Sequence, residues 1–191
     1  MTPMLRNRRT LLARGLVVAL AAVFGGSATP AVGQTTASAL EASARQALDR
    51  LLSTVPAAKA LNAKAVAVLV FPRITKVGLV FGGQHGEGVL FRDGKASGYY
   101  VNMGASWGLQ AGAKQYGYAM FFMTEGALGA LTATNGFEIG VGPTVVVVDQ
   151  GMARQMTTMN LDSDIFAFIF TARGLMAGLG LRGNRISRAS R

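Results

Sequence analysis

The sequence predicts an α+β fold: a strongly curved antiparallel sheet or barrel-like β-sandwich of about eight strands, with an N-terminal helical segment and a few short helices. Three observations carry this prediction. Apolar residues recur at helical spacing around residue 45. After residue 65, runs of β-branched and aromatic residues alternate with turn residues. Many of the 25 glycines lie inside those runs, where glycine allows a sheet to bend sharply.

Residues 34–60 are predicted to form the helical segment, ahead of a β-rich domain over residues 61–191. Ser38 followed by Glu41 predicts a capping box for the first helix, and Pro56 opens a shorter second helix. An amphipathic helix in this place packs on its own domain or lies on a membrane, and its weakly basic polar side favours packing. The predicted apolar stripe consists of Leu40, Ala44, Ala47, Leu48, Leu51, Leu52 and Val55.

The first strand is predicted at residues 65–71, a run rich in β-branched residues and apolar on both faces, as in a buried strand. A second strand is predicted at residues 77–83, and "PRITK", residues 72–76, is predicted to connect the two. Residues 88–103 predict a hairpin, because Asp93-Gly94 supplies the positive φ that a tight turn requires.

Residues 104–118 predict a strand with one small, polar face and one apolar face, since small or polar residues occupy the even positions. The remaining elements are shorter and follow in chain order. They are a strand at 118–123, a helix at 124–131 capped by Thr124, strands at 136–142, 144–149 and 165–170, and a glycine-rich strand at 174–187 with a turn near Gly183-Asn184.

Residues 1–33 predict a cleavable export signal. Four arginines precede the apolar stretch 15–26, and "AVG", residues 31–33, supplies small residues before a cleavage site at Gln34. Arg8-Arg9 also resembles a twin-arginine signal. The alternative is an uncleaved membrane anchor. We therefore expect an exported, periplasmic protein with peripheral membrane association.

Positive charge remains after the predicted cleavage. The whole chain has 19 Lys and Arg against 9 Asp and Glu; without Arg6, Arg8, Arg9 and Arg14 the balance is 15 − 9 = +6. Outside the cytoplasm the expected anionic partners are lipid headgroups rather than nucleic acid. Arginines at every third position from residue 182 predict a basic C-terminal tail, which serves either binding or solubility.

Few residues offer reaction chemistry. The chain has no cysteine and one histidine, which excludes thiol chemistry and a zinc site and leaves no metal or cofactor predicted. The spacing from Gly88 to Lys95 does not fit a phosphate-binding GxxxxGK[ST] loop. His85 and Glu87 would share a strand face as an acid–base pair, but no nucleophile motif accompanies them. A non-enzymatic protein is predicted, with a hydrolase as the alternative.

The strings "AVLVFPRITKVGLVFGGQHGEGVL" and "GYYVNMGASWGLQAGAKQ", followed by "FFMTEGAL", "FEIGVG" and "GLMAGLGLRG", resemble the SYLF domain family over residues 61–184. The resemblance implies a module that binds anionic membrane lipids. Eukaryotic relatives bind phosphoinositides, and a yeast branch binds actin. The resemblance assigns no ligand-binding residue.

The predicted function is therefore an exported, non-enzymatic module that binds anionic phospholipid or the membrane surface. The alternative is a structural or protein-interaction module of the cell envelope. Each basic residue near an anionic surface contributes about 1 kcal/mol. The predicted lipid contacts are Arg73, Lys76, Lys95, Lys114, Arg182 and Arg185.

Overall fold

The computed structural model describes residues 36–78, 81–107, 112–133, 136–156, 162–171, 174–176 and 181–190. The predicted export signal at residues 1–33 lies outside these ranges. The described ranges belong to one compact unit, Thr35–Arg191.

Helices and strands are largely segregated along the chain, as an α+β fold predicts. The helices are α1 (Ala37–Thr54), α2 (Pro56–Asn62), α3 (Glu125–Thr132) and α4 (Gln150–Gln155). The strands are β1 (Ala67–Gly78), β2 (Phe81–Arg92), β3 (Lys95–Trp107), β4 (Gly112–Phe122), β5 (Phe137–Glu138), β6 (Val145–Val148), β7 (Ile165–Thr171), β8 (Gly174–Leu175) and β9 (Arg185–Ala189).

The described strands form one sheet in the order β5-β9-β3-β2-β1-β4-β7-β6, and β8 adds to β7. The β6–β7 pair is parallel, whereas the other pairs are antiparallel. The sheet curls into a half-barrel. This confirms the predicted α+β class and strong curvature, with a mixed rather than purely antiparallel sheet.

The concave face of the sheet holds the larger of two hydrophobic clusters. Ile186 of β9 and Ile169 of β7 belong to this one cluster although four strands separate theirs, because the sheet curls around it. Leu69, Phe71 and Tyr118 fill its centre, and α3 packs against it. The convex face holds the second cluster, in which the sheet packs against α1 and α2.

Helix α1 packs on the convex face, as its amphipathic pattern predicts. Leu40, Ala44 and Leu51 are buried there. Polar contacts hold the other side of the helix: Arg45 Nη1 donates to the Gly94 carbonyl at 3.1 Å, and the hydroxyl of Tyr99 donates to Glu41. The apolar stripe of α1 is thus used inside the protein.

The predicted capping box of Ser38 and Glu41 is wrong. The helix begins at Ala37, so Thr36 occupies the N-cap position and its hydroxyl accepts from the Ala39 N–H at 3.3 Å. The Glu41 carboxylate accepts a hydrogen bond from the Tyr99 hydroxyl and does not bond the backbone at the start of the helix. The Thr124 cap of α3 is confirmed, with the hydroxyl accepting from the Ala127 N–H at 3.1 Å.

The prediction of a connection at residues 72–76 is also wrong. Strand β1 runs unbroken through "PRITK", and its register shifts between Val70 and Arg73 against β2 and between Phe71 and Ile74 against β4. The shift marks a β-bulge, which accommodates Pro72 without a full ladder bond and bends the strand. The predicted strand at 77–83 is wrong as well. Strand β1 ends at Gly78, and β2, which is antiparallel to it, begins at Phe81.

The predicted hairpin turn is confirmed, with φ of 51° at Asp93 and 70° at Gly94. The predicted strand at 104–118 is divided between β3, which ends at Trp107, and β4, which begins at Gly112; residues 108–111 lie outside the described ranges. Helix α4, capped by Asp149, lies where the sequence predicted only a polar stretch.

Candidate functional site

Four strands project beyond the two cores at one end of the sheet. We call this end the tip; it consists of Thr75–Gly78, Gly82–His85, Met103–Ala105 and Gly112–Gln115. In the tip, most described residues are accessible on both faces of the sheet. No described residue of the tip is acidic.

The convex face of the tip carries two exposed apolar side chains among small and polar residues. Val77 is 52% exposed and Met103 58% exposed, and both lie beyond the helices that cover this face elsewhere. Ladder partners of Val77 are Gly83 and Ala113, so small residues surround it. The row formed by Gly83, Val77 and Ala113 across β2, β1 and β4 therefore presents an apolar surface to solvent.

The concave face of the tip carries two lysines. The ladder register places Gly104, Gln84, Lys76 and Lys114 in one row across β3, β2, β1 and β4. Residues directly opposite on neighbouring strands have side chains on the same face, with Cβ atoms about 5 Å apart. Lys76 and Lys114 are thus like charges at directly opposed positions of neighbouring strands, an arrangement that costs stability in the absence of an anion.

Buried amides lie next to the lysines. The Tyr116 hydroxyl donates to Gln84 Oε1 at 2.9 Å, while Gln84 Nε2 has no partner. Asn102 lacks partners at both side-chain polar atoms, and Asn184 lacks one at Nδ2. Exposure is 9% for Gln84, 0% for Asn102 and 4% for Asn184. Buried polar groups are normally paired, so this concentration of unpaired donors marks the site.

Gly104 shows how closely two of these amides approach. A Cβ at this position would stand 2.4 Å from Asn184 Oδ1 and 3.1 Å from Gln84 Nε2. The two side chains therefore converge over the backbone of β3, in space that any larger residue would fill. Asn102 lies two residues earlier on the same face of the strand. We call Gln84, Asn102 and Asn184 the amide cluster.

The structure brings together only two of the six predicted lipid contacts, Lys76 and Lys114. Lys95 lies at the other end of β2–β3, eight residues or about 26 Å from the Gln84 row. Arg73 is exposed at the bulge, opposite Glu87 on the convex face.

The two C-terminal arginines lie further from the lysines. Arg182 is exposed in the turn before β9, with its side chain against Gly140. Arg185, predicted as part of a basic tail, pairs with Met103 and Glu138 in β9, on the convex face. The six residues consequently do not form one patch.

His85 is exposed on the convex face of the tip, two residues from Glu87 on the same strand. The pair thus lies on an open sheet surface rather than in a cleft. Within the described ranges, no three His, Asp or Glu side chains are grouped as a metal would require.

Three buried tyrosines line the concave face. Burial raises the pKa of Tyr100, and the nearby charge of Arg188 lowers it by a smaller amount. Burial also raises the pKa of Tyr116, and the hydrogen bond to Gln84 lowers it by a smaller amount. Burial, with a smaller contribution from Tyr116, raises the pKa of Tyr118 well above its ordinary value. All three therefore remain neutral hydroxyls at physiological pH.

Stability is expected to fall at alkaline pH because of Tyr118. Above about pH 10 the tyrosines of the unfolded chain ionise, while buried Tyr118 keeps its proton. The unfolded state then binds fewer protons, and the free energy of unfolding falls by up to about 1.4 kcal/mol per pH unit for this residue. Urea unfolding from pH 8 to 11 is expected to show a shallower decline for Tyr118→Phe; identical slopes would contradict this assignment.

Sequence reasoning missed the amide cluster and the exposed apolar face. Asn102 stands between apolar residues in sequence, which is a signal for a buried polar side chain, whereas Gln84 directly precedes His85 and gives no such signal. That the two lie close together depends on the register of β2 and β3. Val77 and Met103 look like core residues in sequence, since alternation does not show where the covering helices end.

The described helices include none long and apolar enough to cross a membrane. Residues 103–191 match the Ysc84 family, described as "Las17-binding protein actin regulator". This is the SYLF family, so the match confirms the resemblance noted from the sequence. The matched part includes Met103, Lys114 and Asn184, whereas Lys76 and Gln84 precede it. A comparison with curated proteins found no match.

Proposed function

We propose that this chain, whose residues 103–191 match the Ysc84 (SYLF) family, is a non-enzymatic module that binds anionic phospholipid surfaces through its tip. The family comprises binding modules and is linked to actin and lipid binding. The predicted export signal would bring the tip to envelope lipids, among which phosphatidylglycerol is a suitable anionic probe.

The observation that carries the proposal is the composition of the tip. Exposed Val77 and Met103 lie on one face, Lys76 and Lys114 lie on the other, and acidic side chains are missing from the tip residues described. Apolar area removed from water contributes about 25 cal/mol per Å², and each lysine about 1 kcal/mol near an anionic surface. A membrane interface supplies both partners at once.

The tip is a better candidate than the N-terminal helix. An interfacial helix must offer its apolar stripe to lipid, and the stripe of α1 is buried against β1 and β2. Freeing it would expose Leu40, Ala44 and Leu51 to water. The tip requires no such rearrangement, because its apolar residues are already accessible.

Co-sedimentation with vesicles tests the proposal. The full chain is expected to bind phosphatidylcholine vesicles containing phosphatidylglycerol more strongly than pure phosphatidylcholine, and less strongly as salt rises. The double variant Lys76→Gln/Lys114→Gln is expected to lose about 30-fold in partitioning, since each charge contributes about 1 kcal/mol. Lys95→Gln is the matched control, because Lys95 lies at the opposite end of the strands.

The apolar face has its own control. Val77→Asp and Met103→Asp are each expected to abolish recovery with vesicles, whereas Met152→Asp, at a 43%-exposed position of α4, leaves it unchanged. All variants share residues 1–35, so any contribution of that segment cancels in the comparison. Equal recovery with neutral and anionic vesicles, or equal losses in the Lys76/Lys114 and Lys95 variants, would contradict the proposal.

A further inference from the structure

Among the residues that the structure describes, none is an anionic partner of Lys76 or Lys114. Neither has an ion pair or a hydrogen bond within the described part of the chain. Their side chains start from directly opposed positions on the same face, so each charge raises the electrostatic energy of the other. Lys76 is also half-buried, which limits the water available to screen the pair. One anion between the two ammonium groups would turn this repulsion into attraction to both.

Gln84 adds a neutral donor on the face that carries the lysines. Its ladder partner is Lys76, and its Nε2 lies over Gly104, on the β3 side of this row. The Tyr116 hydroxyl donates its hydrogen bond to Gln84 Oε1. The NH₂ group of the same amide therefore has no hydrogen-bond partner, and it can donate two hydrogen bonds and accept none.

The rest of the amide cluster has the same polarity. Asn102 Nδ2 and Asn184 Nδ2 are unpartnered donors, and Asn102 Oδ1 is the one unpartnered amide oxygen in the cluster. Three buried, unpaired NH₂ groups therefore belong to the concave face that also carries the two lysines. Such a set fits a ligand with several anionic oxygens, since hydrogen bonds to an ionised acceptor are the strongest type. A phosphate group has that form, with several acceptor oxygens around one centre.

Among the described residues, small ones lie beside the lysines. The next positions toward the end of the tip on this face are glycines on β1, β2 and β4: Gly78, Gly82 and Gly112. A Cβ at Gly112 would meet no described atom within 4 Å. No side chain of these glycine positions would therefore have to move to admit a phosphate carried on a larger molecule.

We propose that Lys76, Lys114 and Gln84, supported by Asn102 and Asn184, form a binding site for one phosphate group on the concave face of the tip. The proposal deepens the membrane function proposed above and rests on it for one source of ligand, a phospholipid headgroup. Free phosphate is the other source with the same chemistry. The site differs from general surface attraction because it depends on a buried neutral amide.

Amide NMR of the full chain tests the site with three probes: inorganic phosphate, water-soluble dihexanoyl phosphatidylglycerol below its micelle concentration, and chloride at equal ionic strength. We expect the Gln84 side-chain NH₂ signals to shift with at least one phosphate probe and not with chloride. Binding of the diester alone identifies a lipid headgroup as ligand, and binding of inorganic phosphate alone identifies free phosphate. No shift with either phosphate probe overturns the proposal.

Two variants separate this site from nonspecific charge. Gln84→Glu places a carboxylate beside Lys76, so we expect it to abolish phosphate binding and to raise the melting temperature of the phosphate-free protein. Lys114→Gln, at an exposed position that does not threaten folding, is expected to weaken phosphate binding about 5-fold or more, because one of the two cations is lost. Lys95→Gln should change it less than about 2-fold. Unchanged binding in Lys114→Gln would overturn the site even if Gln84→Glu fails to fold.

The vesicle experiment distinguishes failure of the site from failure of the membrane function. A protein that binds anionic vesicles but neither phosphate probe retains the membrane function and lacks the site. A protein that binds phosphate through Gln84 and Lys114 but ignores vesicles has the site with a soluble ligand, and the membrane function is then refuted.

Discussion

Phe71→Ala is expected to lower the free energy of unfolding by about 3–5 kcal/mol, the usual cost of removing a buried phenyl ring. Phe71 is fully buried and its ring lies 4.7 Å from that of Tyr118, centroid to centroid. It also covers Gly88 of the neighbouring strand: a Cβ there would stand 2.6 Å from the Phe71 ring. Urea unfolding followed by far-UV circular dichroism measures the loss.

A double-mutant cycle checks that Gly88 and Phe71 are coupled. Gly88→Ala alone is expected to cost about 1–3 kcal/mol, because the new methyl group overlaps the ring. In the Phe71→Ala background the ring is gone, although the Val70 carbonyl oxygen remains 2.8 Å from the new Cβ. The cost of Gly88→Ala should therefore shrink without vanishing. Strictly additive costs would show that the ring and the glycine do not share this space.

Gly86→Ala is expected to destabilise the protein by about 3 kcal/mol, the upper end of the range for an overpacked core. The added Cβ would stand 2.4 Å from Ile74 Cδ1 and 2.6 Å from the Arg73 carbonyl oxygen. The Ile74 side chain has no free space to enter, and the carbonyl belongs to the bulge that bends β1. Thermal unfolding by circular dichroism measures the change.

Gly83→Ala is the matched control for Gly86→Ala, on the same strand. The nearest atom to its new Cβ is the Gly104 carbonyl oxygen at 3.9 Å, an ordinary contact. We expect its free energy of unfolding to stay within about 0.5 kcal/mol of that of the natural sequence. Equal destabilisation by the two substitutions would contradict this explanation. It would show that β2 needs glycine for its backbone conformation and not for close approach to the neighbouring strand.

The elements that sequence predicted correctly have local causes. The α1 stripe, the Thr124 cap and the Asp93-Gly94 turn each depend on residues a few positions apart, and each is found. The errors have non-local causes. "PRITK" reads as a connection because proline usually interrupts a ladder, yet two partner strands hold it in β1 by allowing a bulge.

The candidate site was predictable only in part, for the same reason. Lys76 and Lys114 were identified by charge, but so were Lys95, Arg73 and Arg185, which lie elsewhere. Strand register decides which of these basic residues are neighbours. The register depends on the positions at which β1 ends and β2 begins, and at which β3 ends and β4 begins. The amide cluster depends further on Asn184, which arrives from a distant part of the chain.

Strand β9 has a consequence for how the chain is made. It pairs with β3 through contacts such as Tyr99 with Ala189, which are ninety residues apart. During synthesis the β2–β3 hairpin can form long before its outer neighbour leaves the ribosome, so the backbone groups along one border of β3 stay unsatisfied in the interval. Contacts of such long sequence separation slow folding, and an uncovered strand border is where newly made copies join one another. The protein should therefore depend on a chaperone or on dilution until its last strand has docked.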